Sequence, residues 1–102
     1  MGHIYTVEEI KEKLLPIFER EPIVKAVLFG SYAKGTAREK SDIDLYVDSN
    51  GKLKGWNYYG VLDEVSAAFN ANIDFIEASS VIEGGVIHRA ITETGLVIYE
   101  RA

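Results

Sequence analysis

Leu28-Phe29-Gly30-Ser31-Tyr32-Ala33-Lys34-Gly35 and, after Thr36 to Lys40, Ser41-Asp42-Ile43-Asp44-Leu45 form the stretch on which the reading turns. The residues leading into it, Ile23 to Phe29, are apolar and largely β-branched and stop at Gly30-Ser31, which predicts a buried strand ending in a turn. Ser41 to Val47 alternates polar and apolar residues around its two acids and predicts a second strand. Asp42 and Asp44, at i and i+2, then project from one face about 7 Å apart, close enough to share or bridge hard cations. Magnesium prefers such oxygen donors and usually relies on one or two carboxylates plus substrate phosphates. Gly30 lets the backbone turn closely, Ser31 adds a hydroxyl, and amides opening a short helix from Ser31 would point at an anion, with Lys34 as a nearby cation.

Asp74 lies between Ile73 and Phe75 in a later strand pattern, where an unpaired buried charge is expensive. Beside the Asp42/Asp44 strand it would complete a three-carboxylate cluster able to hold metal and take a proton from an attacking hydroxyl, the chemistry of phosphoryl or nucleotidyl transfer. Taken singly the pieces are ordinary, since Asp-x-Asp also caps turns and Gly-Ser is common in loops. The spaced combination arises by chance in roughly one chain in a thousand of this length. Gly30 and Gly35 share the glycine spacing of a Walker loop, but Thr36-Ala37 replaces its Lys-Ser/Thr, which removes that reading.

Upstream, Thr6 and Glu9 have capping-box spacing and open a predicted amphipathic helix over about 6–20, with Pro16 imposing a kink or dividing it in two. Downstream, the charged segment Asp48 to Gly55 turns at Asn50-Gly51 and reads as a mobile loop. Trp56 to Phe69 follows as a helix with Tyr58, Val61, Leu62, Val65 and Phe69 on one face, then Asn72 to Ile76 as a strand. Ser80 and Glu83 predict a second capping box before a helix carrying Ile82, Val86, Ala90 and Ile91, stopped by Gly95, and Leu96 to Tyr99 closes as a strand. The order α-β-β-α-β-α-β predicts an α/β (α+β) fold in one domain over 1–102, a small mixed sheet of about four strands with helices packed on it.

Trp56 and Tyr59 point away from the apolar face and are interface candidates; the alternative folds Trp56 over its own loop. His88 has no second ligand beside it and reads as a surface residue, and Glu8, Glu9, Lys11, Glu12 and Lys13 as a solvated helix face. With 102 residues, 47% hydrophobic and 26% charged, a folded core is expected and disorder is not. Sixteen acids against eleven bases give a charge of -5, the wrong sign for gripping nucleic acid, so direct nucleic-acid binding is disfavoured. The absence of cysteine excludes disulfide and thiolate chemistry and makes the cytoplasm the expected compartment, and no apolar run is long enough to span a membrane.

The stretch Leu28 to Gly35 with Ser41 to Leu45 resembles the signature of the minimal nucleotidyltransferase (MNT) family, within the polymerase-β-like superfamily. The first helix, the Ile73-Asp74-Phe75 strand and the closing strand have counterparts there too. The resemblance implies two Mg²⁺ ions on Asp42, Asp44 and Asp74 as the catalytic set, and ATP as substrate with Gly30, Ser31, Lys34 and Ser41 on the nucleotide. Members commonly carry arginine where this chain has Lys34, which neutralises phosphate without the bidentate fork. Gly84-Gly85 stands where relatives have better helix formers, so the last helix is expected to start late or be loose.

MNT proteins are often antitoxins of HEPN-domain ribonuclease toxins, some adenylylating a toxin tyrosine. The resemblance thus implies a cognate protein partner, with neutralisation by binding alone as the alternative. Transfer to a small molecule or a nucleic-acid end is disfavoured because larger relatives use extra domains to hold such acceptors.

Overall fold

A computed structural model describes residues 3–101. Four helices, α1 (Val7–Arg20), α2 (Ser31–Lys34), α3 (Trp56–Ala68) and α4 (Val86–Thr94), accompany four strands, β1 (Lys25–Phe29), β2 (Ile43–Asp48), β3 (Ile73–Glu77) and β4 (Leu96–Glu100). The strands form one mixed sheet in the order β3-β2-β1-β4. β1 runs antiparallel to β2 and β4, while β2 and β3 are parallel and joined through α3. The expected α/β arrangement is therefore present, with the short α2 added directly after β1.

Registration across the sheet sorts the residues into two faces. Leu28, Leu45 and Phe75 are cross-strand neighbours, and with Ile43, Val47, Ala26 and Ile98 they join Ile10, Leu14, Phe18, Val61 and Val65 of α1 and α3 in one buried cluster. Phe29, Asp44 and Asp74 are likewise neighbours, one residue out of step and so on the opposite face. α4 packs against β1 on this side, where the backbone of Gly95 sits so close to Val27 that a Cβ could not be accommodated.

α1 begins as the sequence predicts, with Thr6 Oγ1 accepting from the Glu9 amide at 3.0 Å and the Thr6 amide donating to Glu9 Oε1 at 2.9 Å. It is not divided at Pro16: Ile10 and Leu14 before the proline and Ile17 and Phe18 after it are all buried, and their burial holds one helix together despite the lost backbone donor. The segment after β2 is not the free loop expected from its charge. Ser49 is buried, its hydroxyl accepts from the Leu53 amide at 2.9 Å and donates to Glu77 at 3.3 Å, and Leu53 is buried beside it. Glu77, a buried acid, is satisfied further by the Ser79 amide and hydroxyl at 2.5 and 2.6 Å.

The capping box expected at Ser80 and Glu83 does not form. Ser80 ends a 3-10 turn (Ala78–Ser80) and donates to the Glu77 carbonyl at 2.8 Å. Gly84 at φ 79° and Gly85 delay the helix until Val86, so Ile82 lies outside it and is exposed. His88 Nδ1 accepts from the Gly84 amide at 3.0 Å, tying this late start to the helix. No helix is long and apolar enough to cross a membrane, among the described residues.

Candidate active site

The site is built where β1 ends and β2 and β3 begin. Gly30 follows Phe29, which is paired with Asp44, and Asp44 is paired with Asp74. Gly30 has φ 74°, which other residues rarely adopt, and a Cβ there would strike the Asp44 carboxylate. The glycine therefore sets both the sharp exit into α2 and the close seat of Asp44 over the turn.

The three acids differ in environment. Asp44 is half-buried, whereas Asp42 and Asp74 are exposed. Burial first, then the negative charges of Asp74 and Asp42 and a hydrogen bond with Asp74, push the Asp44 carboxyl up from 3.8 to about 6. The parallel register of β2 and β3 thus brings the sequence-predicted Asp74 to Asp44, while Asp42, expected inside the strand, stands just before β2 begins at Ile43 and acts from there. Among the described residues no three acidic or histidine side chains already stand at metal-holding distances. The two observations describe one arrangement: the carboxylates are near enough to repel, without converging on a common point. An all-carboxylate set with uncompensated charge is chemically suited to a hard divalent cation.

Ser31 and Lys34 open and close α2, and Gly35 at φ 78° ends it with its amide donating to the Ser31 carbonyl. Gly30 and Lys34 line a cavity of about 270 Å³ whose far wall is α4, including Arg89, Ala90, Glu93 and Thr94. Ser41 is not in that cavity. Its hydroxyl accepts from the Arg38 amide at 2.7 Å, and it borders a separate cleft of about 470 Å³ with Asn70 and Asn72. None of the three acids lines either cavity; the smaller one is lined by Gly30, against which the Asp44 carboxylate sits. Arg89 was not found from sequence, because it lies far along the chain in a helix whose start two glycines obscure. The only available signal was a basic residue in the helix following the third acid.

A mixed sheet with a glycine-serine turn leaving one strand and carboxylates paired across the next two defines a nucleotidyltransferase. Residues 12–102 match the family described as "Polymerase beta, Nucleotidyltransferase", and the chain belongs to that family. Two proteins of Methanocaldococcus jannaschii, both named provisionally as protein adenylyltransferases, are similar to it. One is 43% identical over 42 residues, 41% of this chain and 45% of that protein, so the chain matches under half of its length. The other is 30% identical over 84 residues, 78% of this chain and 98% of that protein.

Solved structures show the same fold. A toxin-antitoxin crystal structure with AMP-PNP superposes with a TM-score of 0.75 at 20% identity, covering 89% of this chain and 73% of that one. The MNT antitoxin complex with a tri-AMPylated HEPN toxin of Shewanella oneidensis gives 0.70 at 16%, covering 94% and 74%.

Proposed function

We propose that the chain is a single-domain nucleotidyltransferase that moves AMP from ATP to a protein hydroxyl, a tyrosine of a cognate HEPN-domain toxin, and acts as the antitoxin. The observation that carries this is the in-register pairing of Asp44 with Asp74 beside the Gly30 turn. The names of the similar proteins support protein adenylylation, and the structural neighbours support a toxin partner and an adenine nucleotide. The lack of cysteine fits a reducing cytoplasm, and the charge of -5 argues against a nucleic-acid acceptor.

In this reading Asp42, Asp44 and Asp74 would hold magnesium, two ions by the family resemblance, which when bound neutralises and orients the phosphates. Gly30, Ser31 and Lys34 hold the triphosphate where β1 turns into α2, and Ser41 steadies the loop that delivers Asp42. Asp74, exposed at the open edge strand, meets the incoming tyrosine and accepts its proton. The phenolic oxygen then bonds to the α-phosphorus, the bond to the β-phosphate oxygen breaks, and pyrophosphate leaves. Holding nucleophile and phosphorus together supplies much of the rate by proximity.

The second reading is neutralisation by binding alone, favoured by Trp56, 90% exposed on α3. Incubating the protein, its Asp44→Asn variant and a lysate of the source organism with Mg²⁺ and ATP labelled at the α-phosphate separates the two. A labelled protein band that requires Asp44 is expected. Absence of label with every common nucleotide, with a partner still captured, would establish the binding reading instead.

A further inference from the structure

The cavity beyond Gly30 contains two cations that the carboxylate site does not explain. Lys34 reaches it from α2 and Arg89 from α4, and neither is in an ion pair among the described residues. Two unpaired cations facing one cavity stand out in a chain with five more acids than bases. Two positive charges on the walls of one cavity favour an anion between them. Glu93, one turn beyond Arg89, is the single acid on the lining, and its charge leaves the wall net positive.

The backbone that carries Arg89 is held at both ends of α4. The Arg89 amide donates to the Gly85 carbonyl at 3.0 Å in the first turn of α4. The other end of the helix is held where Gly95 lies against Val27 of β1 and its amide donates to Ile91 at 2.9 Å. α4 is therefore fixed to the strand that leads into Gly30, so the spacing between Arg89 and the turn is set by the fold. Across Gly30 the Asp44 carboxylate touches the same backbone. A negative site for cations and a positive cavity for anions thus share one glycine as their boundary.

We infer that Arg89, in the far wall of this cavity, is a further anchor for the β- and γ-phosphates of the nucleotide held at the Gly30 turn and, after transfer, for pyrophosphate. The inference rests on the nucleotidyl-transfer reading and extends it to a residue outside the signature stretch. Lys34 supplies a point charge, whereas the planar guanidinium of Arg89 presents paired donors that match two oxygens of a phosphate group. A nucleoside monophosphate, lacking these groups, gains nothing from Arg89. The residue therefore selects triphosphates over monophosphates. Glu93 opposes the same anion and weakens its hold, which favours release of the product.

Calorimetric titration of the protein with ATP, AMP and inorganic pyrophosphate, each with Mg²⁺, tests this. Arg89→Ala should weaken ATP and pyrophosphate at least about tenfold and leave AMP unchanged. Arg89→Lys should fall between, and Glu93→Gln should tighten both polyphosphates. Arg89 is exposed, so the melting temperature serves as the folding control and should not move. Equal loss of ATP and AMP, no change in any ligand, or a wild-type protein that does not bind pyrophosphate would each overturn the inference. Arg89-dependent ATP binding without label transfer would refute the transfer reading and keep the cavity. Label transfer with pyrophosphate inhibition indifferent to Arg89 would do the reverse.

Discussion

The two faces of the sheet are made from the same strands, one residue out of step, and they are held to opposite rules. On β2, Ile43, Leu45 and Val47 are fully buried under α1 and α3, while Asp44, Tyr46 and Asp48 between them are only half-buried. Among the described residues the covered face has no charge in its centre, and its one buried acid, Glu77, sits at the margin with three donors around it. The open face gathers like charges at Asp44 and Asp74 and tolerates their repulsion. A period of two thus lets five- and six-residue strands secure a core and expose a reactive row at once.

The largest effect should come from crossing the two rules. Leu45→Asp places an acid at a fully buried position between Leu28 and Phe75, without a partner, and should cost more than about 4 kcal/mol and prevent folding. The opposite change one residue earlier, Asp44→Asn, which removes a charge from the open face, should fold normally. Circular dichroism of the two proteins side by side decides it; a folded Leu45→Asp protein would mean that the core face is not sealed.

Gly30→Ala breaks the joint between the faces. It forces a side chain into a φ of 74° and against the Asp44 carboxylate, and should cost about 2–3 kcal/mol in urea unfolding, with loss of any transfer activity. A loss below about 0.5 kcal/mol would show that Asp44 moves aside freely.

Asp44 itself should give a smaller, pH-dependent change of opposite sign. Its carboxyl is raised from 3.8 to about 6 on folding, so between those values the folded state binds the extra proton, and stability falls as pH rises through the interval. Above pH 6 the wild-type protein bears the full penalty, about 1 kcal/mol after discounting for solvent screening. Asn removes it. The variant should therefore melt about 5 °C higher than wild type at pH 7.5 without divalent metal, and the gain should vanish near pH 4. A gain independent of pH would indicate packing in place of charge.

Most of the fold was legible because periodicity is local. The alternation of Ser41 to Val47 and the capping residues Thr6 and Glu9 each state their element within a few positions, and the i, i+2 acids state their common face. What failed was decided by tertiary contacts. Pro16 argued for a break that the stripe from Ile10 to Phe18 overrode. Ser49 and Leu53 looked like loop residues until Glu77, 28 positions past Ser49, arrived to bond the serine. Ser80 matched a capping box, but the strand before it ends in a carbonyl that claims the hydroxyl first. Asp74 could be placed beside Asp44 only by assuming strand order, and Arg89 came into view only with the packing of α4.

Helix α3 repeats the contrast of the two faces on a smaller scale and gives the mildest test. Val61 and Val65 face the core, and Tyr58 reaches over to donate to the Phe75 carbonyl at 2.9 Å. Trp56 and Tyr59 leave the helix on the other side, 90% and 59% exposed, so the helix begins at Trp56 without folding it over the preceding loop. Val65→Ala should cost about 2 kcal/mol by opening a cavity. Trp56→Ala removes a far larger side chain yet uncovers almost no protected surface, so the loss should stay within about 0.5 kcal/mol. Tyr59→Ala also gives up an edge contact with Tyr58, whose ring centre is 5.3 Å away, and should cost slightly more. Thermal melts of the three variants should rank Val65→Ala well below the other two. A Trp56→Ala protein as unstable as Val65→Ala would mean that the indole is covered by protein in solution, and a melting temperature that depends on protein concentration would identify a second copy as the cover.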